Sequence, residues 1–390
     1  MHSCFGKGKK EEGSCDKALH KRILFLIAYS SLLPFFLPEV SRELLRLAEE
    51  NGVRCLFDSP VAEILVEEEK EEEEREEEGT DGLQKNESPF SSSSSPSAVT
   101  TTTKKRPKPH HKTTGVRLSS GQQLEADLVI SNVDLPFTNK YLFPPPFSQS
   151  FDHDKREFSS SVVSFLWALN KTMSPGLKHH TTFLAAREKE DGREEGREGG
   201  KEGGQGYKYP GKAAWDALFK NNKFDSTWFN FYVHAPQRTD ESVCPPGHDA
   251  IMILVPCPIL GKEGGRAGAE QEEEEEEELI SSVREAVLGR LEEVEGMQDF
   301  RDCLTHEKVI GPREWRERYS LSRGAVFGLR HNLGQLSLLR PGQKHRGGGR
   351  EGGRVEGVYY CGASSRPGNG VPLVMVGAKL LSERIVKECF

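Results

Sequence analysis

The sequence is poor in apolar residues and has no long uninterrupted hydrophobic run. Only 35% of its 390 residues are hydrophobic, and the mean hydropathy is −0.61. The longest apolar stretch, residues 23–37, follows a basic segment and is broken by Pro34. Its length fits a signal-peptide core or a buried segment and is short for a membrane span. Residues 1–36 are therefore expected to be a targeting segment or to lie outside the fold.

The cysteines lack any pattern typical of a metal site. None of the eight forms a CxxC pair, and none stands beside a histidine at a ligand interval. They are also spread too widely for a disulfide framework, and several lie inside apolar runs. The sequence therefore predicts buried, reduced thiols in a reducing compartment and no metal site.

The net charge of −8 is local and does not describe the whole surface. Residues 67–78 contain ten Glu, one Lys and one Arg, and residues 272–278 add seven Glu. Such blocks are normally solvated. The one basic cluster, at residues 104–112, has no interleaved aromatic residues, so no nucleic-acid partner is predicted.

Four biased segments interrupt the chain at residues 67–113, 187–206, 261–278 and 342–354. None contains enough apolar residues to offset the entropy cost of ordering, so each is predicted to be a disordered insertion. Between them the pattern predicts a helix at residues 38–51 and strands at 53–57, 61–67, 115–118 and 124–131. The first insertion would lie at the tip of a hairpin.

The C-terminal residues form a strand pattern at 358–361, a turn rich in glycine and proline, and a helical pattern at 371–386. A strand, such a turn and a helix start bring free backbone N–H groups and the positive end of the helix together. This arrangement suits a phosphate, a carboxylate or an electron-rich cofactor edge. A simple strand–helix connection is the alternative.

The same segment, GVYYCGASSRPGNGVPLVMVGAKL, resembles the C-terminal signature of the bacterial and fungal phytoene desaturases, which are FAD-dependent members of the amine-oxidase-like superfamily. Five earlier stretches resemble this family in the same order: LPEVSRELLRLAEENGVRCLFDSPVAEILVEE, GVRLSSGQQLEADLVISNVDLP, SSVVSFLWALNK, FNFYVHAPQRTDESVCPPGHDAIMILVPCP and REWRERYSLSRGAVFGLRHNLGQLSLLRPGQKH. Together these blocks cover roughly two-thirds of the chain.

The resemblance implies an α/β chain with a partial two-dinucleotide-type FAD-binding fold and an inserted α+β domain for the substrate and the membrane. The FAD-binding part would comprise residues 37–146 and 355–390, the inserted domain residues 147–341, and a loop residues 342–354. The family's N-terminal strand–GxGxxG–helix unit is absent from the sequence. The chain is therefore expected to be a C-terminal portion of a longer enzyme.

The resemblance also implies the site. Removing hydrogen from a hydrocarbon requires a hydride acceptor that no side chain supplies, and FAD is the acceptor that the family implies. The family pattern implies cofactor contacts at Val61, Asn132, Asp134, Gly362, Ala363, Gly370, Val371 and Pro372. No catalytic acid or base is identified. His331 and Asn332, a polar pair in an apolar block, would either polarise a ligand or hydrogen-bond to each other.

The implied substrate is a C40 polyene such as phytoene, and the implied location is a membrane surface, with a plastid as one candidate compartment. The apolar runs within residues 158–340 would then form either ordinary core or a channel and membrane-binding face. Two other functions stay open: a carotene isomerase or polyene saturase of the same superfamily, and a non-catalytic chain that binds lipid or carotenoid surfaces.

Overall fold

The structure is a computed structural model, and it describes the following residues: 2–6, 23–27, 38–69, 110–145, 147–150, 156–173, 177–185, 210–261, 266–335, 339–345 and 354–390. The strands in these parts are β1 (His2–Gly6), β2 (Ile23–Ile27), β3 (Val53–Leu56), β4 (Val61–Glu69), β5 (His110–Leu118), β6 (Gln123–Glu125), β7 (Leu128–Ser131), β8 (Ser161–Leu169), β9 (His180–Phe183), β10 (Phe231–His234), β11 (Asp249–Cys257), β12 (Leu304–Ile310), β13 (Val355–Glu356) and β14 (Val358–Tyr360). The α-helices are α1 (Pro38–Glu50), α2 (Leu135–Phe137), α3 (Pro210–Phe219), α4 (Arg266–Glu292), α5 (Phe300–Cys303), α6 (Pro312–Tyr319) and α7 (Val371–Cys389).

The first sheet joins the two ends of the chain. Its order is β14-β7-β2-β1-β3, with β14, β7 and β2 parallel and the other pairs antiparallel. The near-continuous apolar sequence of β7 agrees with its position, because all four of its residues are buried. Helix α7 packs on this sheet through Leu381 and Ile385, which contact Leu128, Ile130 and Tyr359.

The predicted hairpin is confirmed. Strand β4 pairs antiparallel with β5, and β6 and β13 also pair with β5. The first insertion connects β4 to β5, so it lies between the two hairpin strands, although these extend further than predicted, to Glu69 and from His110. Within the hairpin, Gly115 has φ +143°, and an added Cβ would lie 2.0 Å from the Leu124 carbonyl oxygen, so only glycine fits there.

The second sheet, β12-β8-β11-β10-β9, is antiparallel throughout. Its core combines alternate residues of β8 and β11 with the buried face of α4, including Phe165, Ile253 and Val287, all 0% exposed. Most of the bulky residues in the apolar runs of β8, β10 and β11 are buried here. For these runs, the interpretation as ordinary core is confirmed.

One prediction of disorder is wrong. Helix α4 includes most of residues 261–278, where Glu272 forms an ion pair with Arg316 and Glu276 accepts a hydrogen bond from the Arg313 backbone N–H at 2.7 Å. At the start of the predicted loop 342–354, Gln343 and His345 are buried and their backbone groups pair with β14, whereas residues 346–353 lie outside the described residues. The insertion 187–206 lies outside the described residues.

The N-terminal segment also differs from expectation. Part of residues 1–36 belongs to the first sheet, as β1 and β2. The reason is that Ile23–Ile27 lies parallel beside β7, where Leu24 is 0% exposed in the core. Among the helices that the structure describes, none combines the length and apolar composition needed to cross a membrane. The proposed domain boundaries stay a prediction.

Candidate functional site

The candidate site lies where β7 and β14 end. The two strands are parallel, with Tyr360 opposite Ser131, so their carboxyl ends lie at the same edge of the sheet. Beyond the strands, the Cys361 backbone N–H donates to the Ser131 carbonyl at 2.9 Å, and the Asn132 side-chain amide donates to the Cys361 carbonyl at 3.0 Å. Two segments far apart in sequence are therefore joined at this edge.

A cavity of about 150 Å³ opens at this edge. Asn132, Asp134, Gly362 and Ala363 all line it, so the structure brings together four of the eight residues that the family pattern implies. The lining also includes aromatic and aliphatic side chains of α6 and the loop after it, namely Trp315, Tyr319, Leu321 and Val326. The cavity thus combines polar and apolar lining residues, as ligand sites commonly do.

Asp134 connects three segments around the cavity. Its Oδ1 accepts a hydrogen bond from the Ser364 hydroxyl at 2.5 Å, and its Oδ2 accepts one from the Ser322 backbone N–H at 3.1 Å. Burial nevertheless raises the pKa of this carboxyl, and these hydrogen bonds only partly oppose the rise. Asp134 can therefore retain a proton to a higher pH than an exposed carboxyl can.

The position of Ser364 depends on a glycine. The Ser364 hydroxyl also accepts from the Leu329 backbone N–H at 3.1 Å, which holds it against Gly328. Gly328 has φ +66°, and a Cβ added there would lie 2.3 Å from Ser364 Oγ. A larger residue at position 328 would therefore displace the hydroxyl that Asp134 binds.

Arg340 supports the turn from inside. Its side chain is only 1% exposed, and it donates to the Ala363 carbonyl at 2.5 and 3.0 Å and to the Leu329 carbonyl at 2.8 Å. Burial lowers the pKa of Arg340 to about 10, so the guanidinium stays charged at neutral pH. Because the C=O and N–H of a trans peptide point in opposite directions, Arg340 also fixes the direction of the Ser364 N–H.

The residues at the start of α7 do not line the cavity. Gly370 has φ +96°, and a Cβ added there would meet nothing within 4 Å. Val371, the first helical residue, is 52% exposed, and Pro372 follows it. The first-turn N–H groups of a helix have no intrahelical acceptors and carry its positive end, so this surface can accept an anion or an electron-rich edge.

His331 contacts the turn that precedes α7. The Asn369 backbone N–H donates to His331 Nε2 at 3.4 Å, and a Cβ on Gly368, which has φ +143°, would lie 2.6 Å from the same nitrogen. Burial lowers the pKa of His331, with the Arg340 charge as a smaller cause, so the ring is neutral at pH 7 and can accept this bond. The observed partner supports a structural role for His331, with Asn369 in place of Asn332.

Val61 lies elsewhere. It is 5% exposed in the core formed by the hairpin and the first sheet, and it does not line the cavity. The cofactor contacts of Val61, Gly370, Val371 and Pro372 stay predictions, as do those of the four cavity residues. Sequence reasoning missed Ser364, Gly328 and Arg340. Only Arg340 carried a signal, as a charge that directly follows a short apolar stretch of its block.

The described residues fit one part of a flavin. Binding sites for drug-sized ligands usually measure about 300–1,000 Å³, so a cavity of about 150 Å³ can enclose only a portion of such a ring system. The open space at Gly370 and the helix start beside it would suit the polar edge of the ring.

Comparison with known proteins identifies related chains. The chain is 32% identical over 274 residues to a phytoene desaturase of Phycomyces blakesleeanus, an alignment that covers 70% of this chain and 41% of the relative. It is 32% identical over 283 residues to a phytoene desaturase of Neurospora crassa, covering 72% of this chain and 41% of the relative. A zeta-carotene-forming phytoene desaturase of Myxococcus xanthus is 27% identical over 347 residues, covering 89% of this chain and 51% of the relative.

The aligned part of the chain thus spans about two-fifths to one-half of the length of these relatives. No family model matches the chain. Among solved structures, an oxidoreductase from Methanosarcina mazei is similar with a TM-score of 0.34 and 14% identity, over 70% of this chain and 46% of that chain. A similarity this weak supports no argument about fold or function.

Proposed function

We propose that this chain forms part of an FAD-dependent carotenoid desaturase. The proposal rests on homology to the phytoene desaturases over 70% of this chain, which confirms the resemblance predicted from its sequence. The substrate is a C40 polyene such as phytoene. The observation that supports this best is the parallel pairing of β7 with β14, which brings Asn132, Asp134, Gly362 and Ala363 to one cavity.

In this proposal the flavin supplies the hydride acceptor, and the residues of this chain bind and orient it. The helix start at Val371 would stabilise negative charge on a bound ring, because the first-turn N–H groups are oriented before binding. Gly370 keeps the backbone accessible, and Arg340, Ser364 and Asp134 hold the turn in place.

A second cavity, of about 230 Å³, supports a hydrocarbon substrate. It is lined by aromatic side chains of α3 and the segment before β10, among them Trp215, Phe219, Trp228 and Phe229, and also by Lys223, Asp225 and Asn230. Trp215 is also 51% exposed, so the aromatic part of this lining is open to the outside. A C40 hydrocarbon is essentially insoluble, so we propose that the protein acts at a membrane surface. Location in a plastid stays a prediction from the sequence.

A chimera tests the proposal. The part of the Phycomyces enzyme that aligns with this chain is replaced by this chain, and the hybrid is assayed with FAD and phytoene in liposomes. We expect products with more conjugated double bonds, identified by absorbance and mass. A product of unchanged mass would indicate an isomerase, a product of higher mass a saturase, and an inert hybrid that binds liposomes a lipid-binding chain.

The variant Gly370→Val tests the site. Valine at the helix start should abolish desaturation but leave liposome binding unchanged, because it fills the space through which the ring approaches. Gly121→Val is the matched control, since Gly121 has a similar φ, +86°, and equally open surroundings but lies in the β5–β6 turn. Equal activity of the Gly370 and Gly121 variants would exclude position 370 from the flavin site.

A further inference from the structure

Three histidines meet at the edge of the second sheet, away from the cavity described above. His180 on β9 lies directly opposite His234 on β10 in the antiparallel pairing, so both side chains are on the same face. His179 precedes β9, and its ring centroid lies 4.2 Å from that of His180 and 4.8 Å from that of His234. One ring nitrogen of each residue lies within 4.8 Å of those of the other two.

Neighbouring oxygens fix the orientation of two of the rings. The Thr239 hydroxyl contacts His179 Nδ1 at 2.6 Å, and the Tyr232 hydroxyl contacts His180 Nδ1 at 2.5 Å. Histidines that bind metals in proteins typically have their second ring nitrogen held by an oxygen in this way. For His179, this contact leaves Nε2 directed at His234 Nε2, 2.8 Å away.

The imidazoles of His179 and His234 are neutral at pH 7, and the cluster is accessible. Burial lowers the pKa of His234 to about 4, and the pKa of His179 is also lowered, with burial as the main cause and the His180 charge adding to it. Neutral imidazole is the form that binds metal ions. His234 is only 2% exposed, whereas His180 is exposed to solvent, so an ion can reach the cluster from the His180 side.

We propose that His179, His180 and His234 bind one divalent transition-metal ion, of the Zn²⁺ class, that links strand β9 to strand β10. Three imidazoles suit zinc and leave a fourth position for water. With Zn–N bonds of about 2.0–2.1 Å in a tetrahedral site, the two Nε2 atoms would need to separate to about 3.4 Å. This is a small displacement from 2.8 Å.

The hydrogen-bonded pair His179 and His234 can bind the ion without releasing a proton. In the metal-free pair, one of the two imidazoles donates its Nε2–H to the other. On binding, the N–H of that imidazole moves to Nδ1, so both Nε2 atoms become available as ligands. If His179 is the donor, the Thr239 oxygen is placed to accept the new Nδ1–H.

The ion would stabilise an exposed edge. Strand β9 has only four residues, pairs with β10 alone among the described strands, and shows no continuous buried face. A metal held by both strands would add a link that the backbone pairing lacks. The cysteine spacing predicted no metal site, and these three histidines come together only through the pairing of two strands.

The test uses the full chain, with any affinity tag removed and metal stripped by a chelator. Co²⁺ is titrated while its visible absorption bands are recorded, and Zn²⁺ is then added to displace it. We expect one tightly bound ion per chain, absorption typical of tetrahedral coordination, and a Zn²⁺-dependent rise in Tm.

His179→Asn and His180→Asn should each weaken Zn²⁺ binding by more than about tenfold. His306→Asn, at an exposed position on the opposite edge strand β12, is the matched control and should bind as the parent does. The proposal is overturned if the parent binds no tight equivalent, or if the His179 and His180 variants retain it. The unchanged Tm of each variant without metal verifies that the fold is intact.

Discussion

The two long helices of this chain, α4 and α7, use their apolar residues in different ways. On α4, Val283, Val287, Leu288 and Leu291 are all 0% exposed and pack on the second sheet. On α7, Leu381 and Ile385 pack on the first sheet, but several large apolar residues remain about half exposed or more, namely Val371, Met375, Val376, Leu380 and Val386. Helix α4 thus buries its large apolar residues against a sheet, whereas α7 carries large apolar residues both on its buried face and on its exposed surface.

The comparison shows what an apolar pattern can and cannot predict. Helical spacing of apolar residues predicts that a helix forms and which residues share a face. It does not predict what covers that face. Helix α1 makes the same point, because its predicted apolar stripe is present, yet Val40, Leu44 and Leu47 are 42–55% exposed.

The largest expected effect is the difference in stability between a leucine-to-alanine substitution on α4 and the same substitution on α7. Leu288→Ala on α4 should lower the free energy of unfolding by about 3 kcal/mol, because it leaves a cavity in a packed core. Leu380→Ala on α7 removes the same atoms from a side chain that is 49% exposed and should cost less than about 0.5 kcal/mol. Urea denaturation of both variants measures the difference. Equal losses would mean that the outer face of α7 is covered in solution.

The turn beside the candidate site should be more sensitive than an ordinary turn. Gly328→Ala should cost about 2–3 kcal/mol, because the added Cβ would overlap Ser364 Oγ at 2.3 Å in addition to the strain of a positive φ. Gly121→Ala is the control, with φ +86° and no atom within 4 Å, and should cost only about 1 kcal/mol of backbone strain. Thermal or urea unfolding distinguishes the two, and similar losses would show that Ser364 is free to move.

Local patterns predicted most of the first sheet and its hairpin. The alternation at residues 61–67, the apolar core of 128–130 and the glycine-rich turn before residue 371 all became the expected elements. The acidic run of residues 272–278 was misread, because composition cannot show that Arg313 and Arg316 on α6 would pair with it. Long-range partners, which sequence periodicity does not contain, decided the structure of that segment.

The sequence named four residues of the candidate site, through its glycines and polar strand ends. Asn132, Asp134, Gly362 and Ala363 line one cavity, and their contacts with a cofactor stay a prediction. The residues that support them were not recognised, because the carbonyl that Arg340 binds and the Ser364 hydroxyl that Gly328 faces become their neighbours only after folding. A buried arginine that binds carbonyl oxygens has no sequence signature beyond its apolar surroundings.

The pH dependence of stability should report on Asp134. Its raised pKa means that the folded state keeps this proton to a higher pH than the unfolded state does. Protonated Asp134 therefore favours folding below the unfolded pKa of about 3.9. That contribution to stability is lost as the pH rises through the pKa of the folded state. Asp134→Asn should therefore gain stability relative to the parent as the pH is raised, measured by urea unfolding at several pH values.

Asp299→Asn is the control, because its stability relative to the parent should change with pH in the opposite direction. The Lys171 ammonium, 2.7 Å away, lowers the pKa of Asp299, so this carboxyl stabilises the fold at neutral pH and loses the contribution in acid. The Asp299 variant should lose stability relative to the parent as the pH rises. If both variants change in the same direction, the environment assigned to Asp134 is wrong.

The corrected assignment of the acidic run predicts a smaller effect. Glu272→Ala should lower the free energy of unfolding by about 0.5–1 kcal/mol, because Arg316 Nη1 contacts both carboxylate oxygens, at 2.8 and 2.9 Å. Glu274→Ala, at an exposed position of the same helix, should have almost no effect. Parallel denaturation curves with and without added salt measure the pair, and equal effects would contradict the assigned ion pair.

The smallest effect is expected in the other acidic segment, which connects β4 to β5. Its composition predicts that it buries little apolar area, so deleting residues 80–99, about half of the connection, should remove no stabilising contact. Halving the length of this connection should instead raise the free energy of unfolding by no more than about 0.6 kcal/mol, because closing a shorter connection costs less entropy. Urea unfolding of the deletion variant and the parent provides the measurement. A loss of several kcal/mol would show that this segment, like the acidic run of α4, packs against a partner that its composition does not reveal.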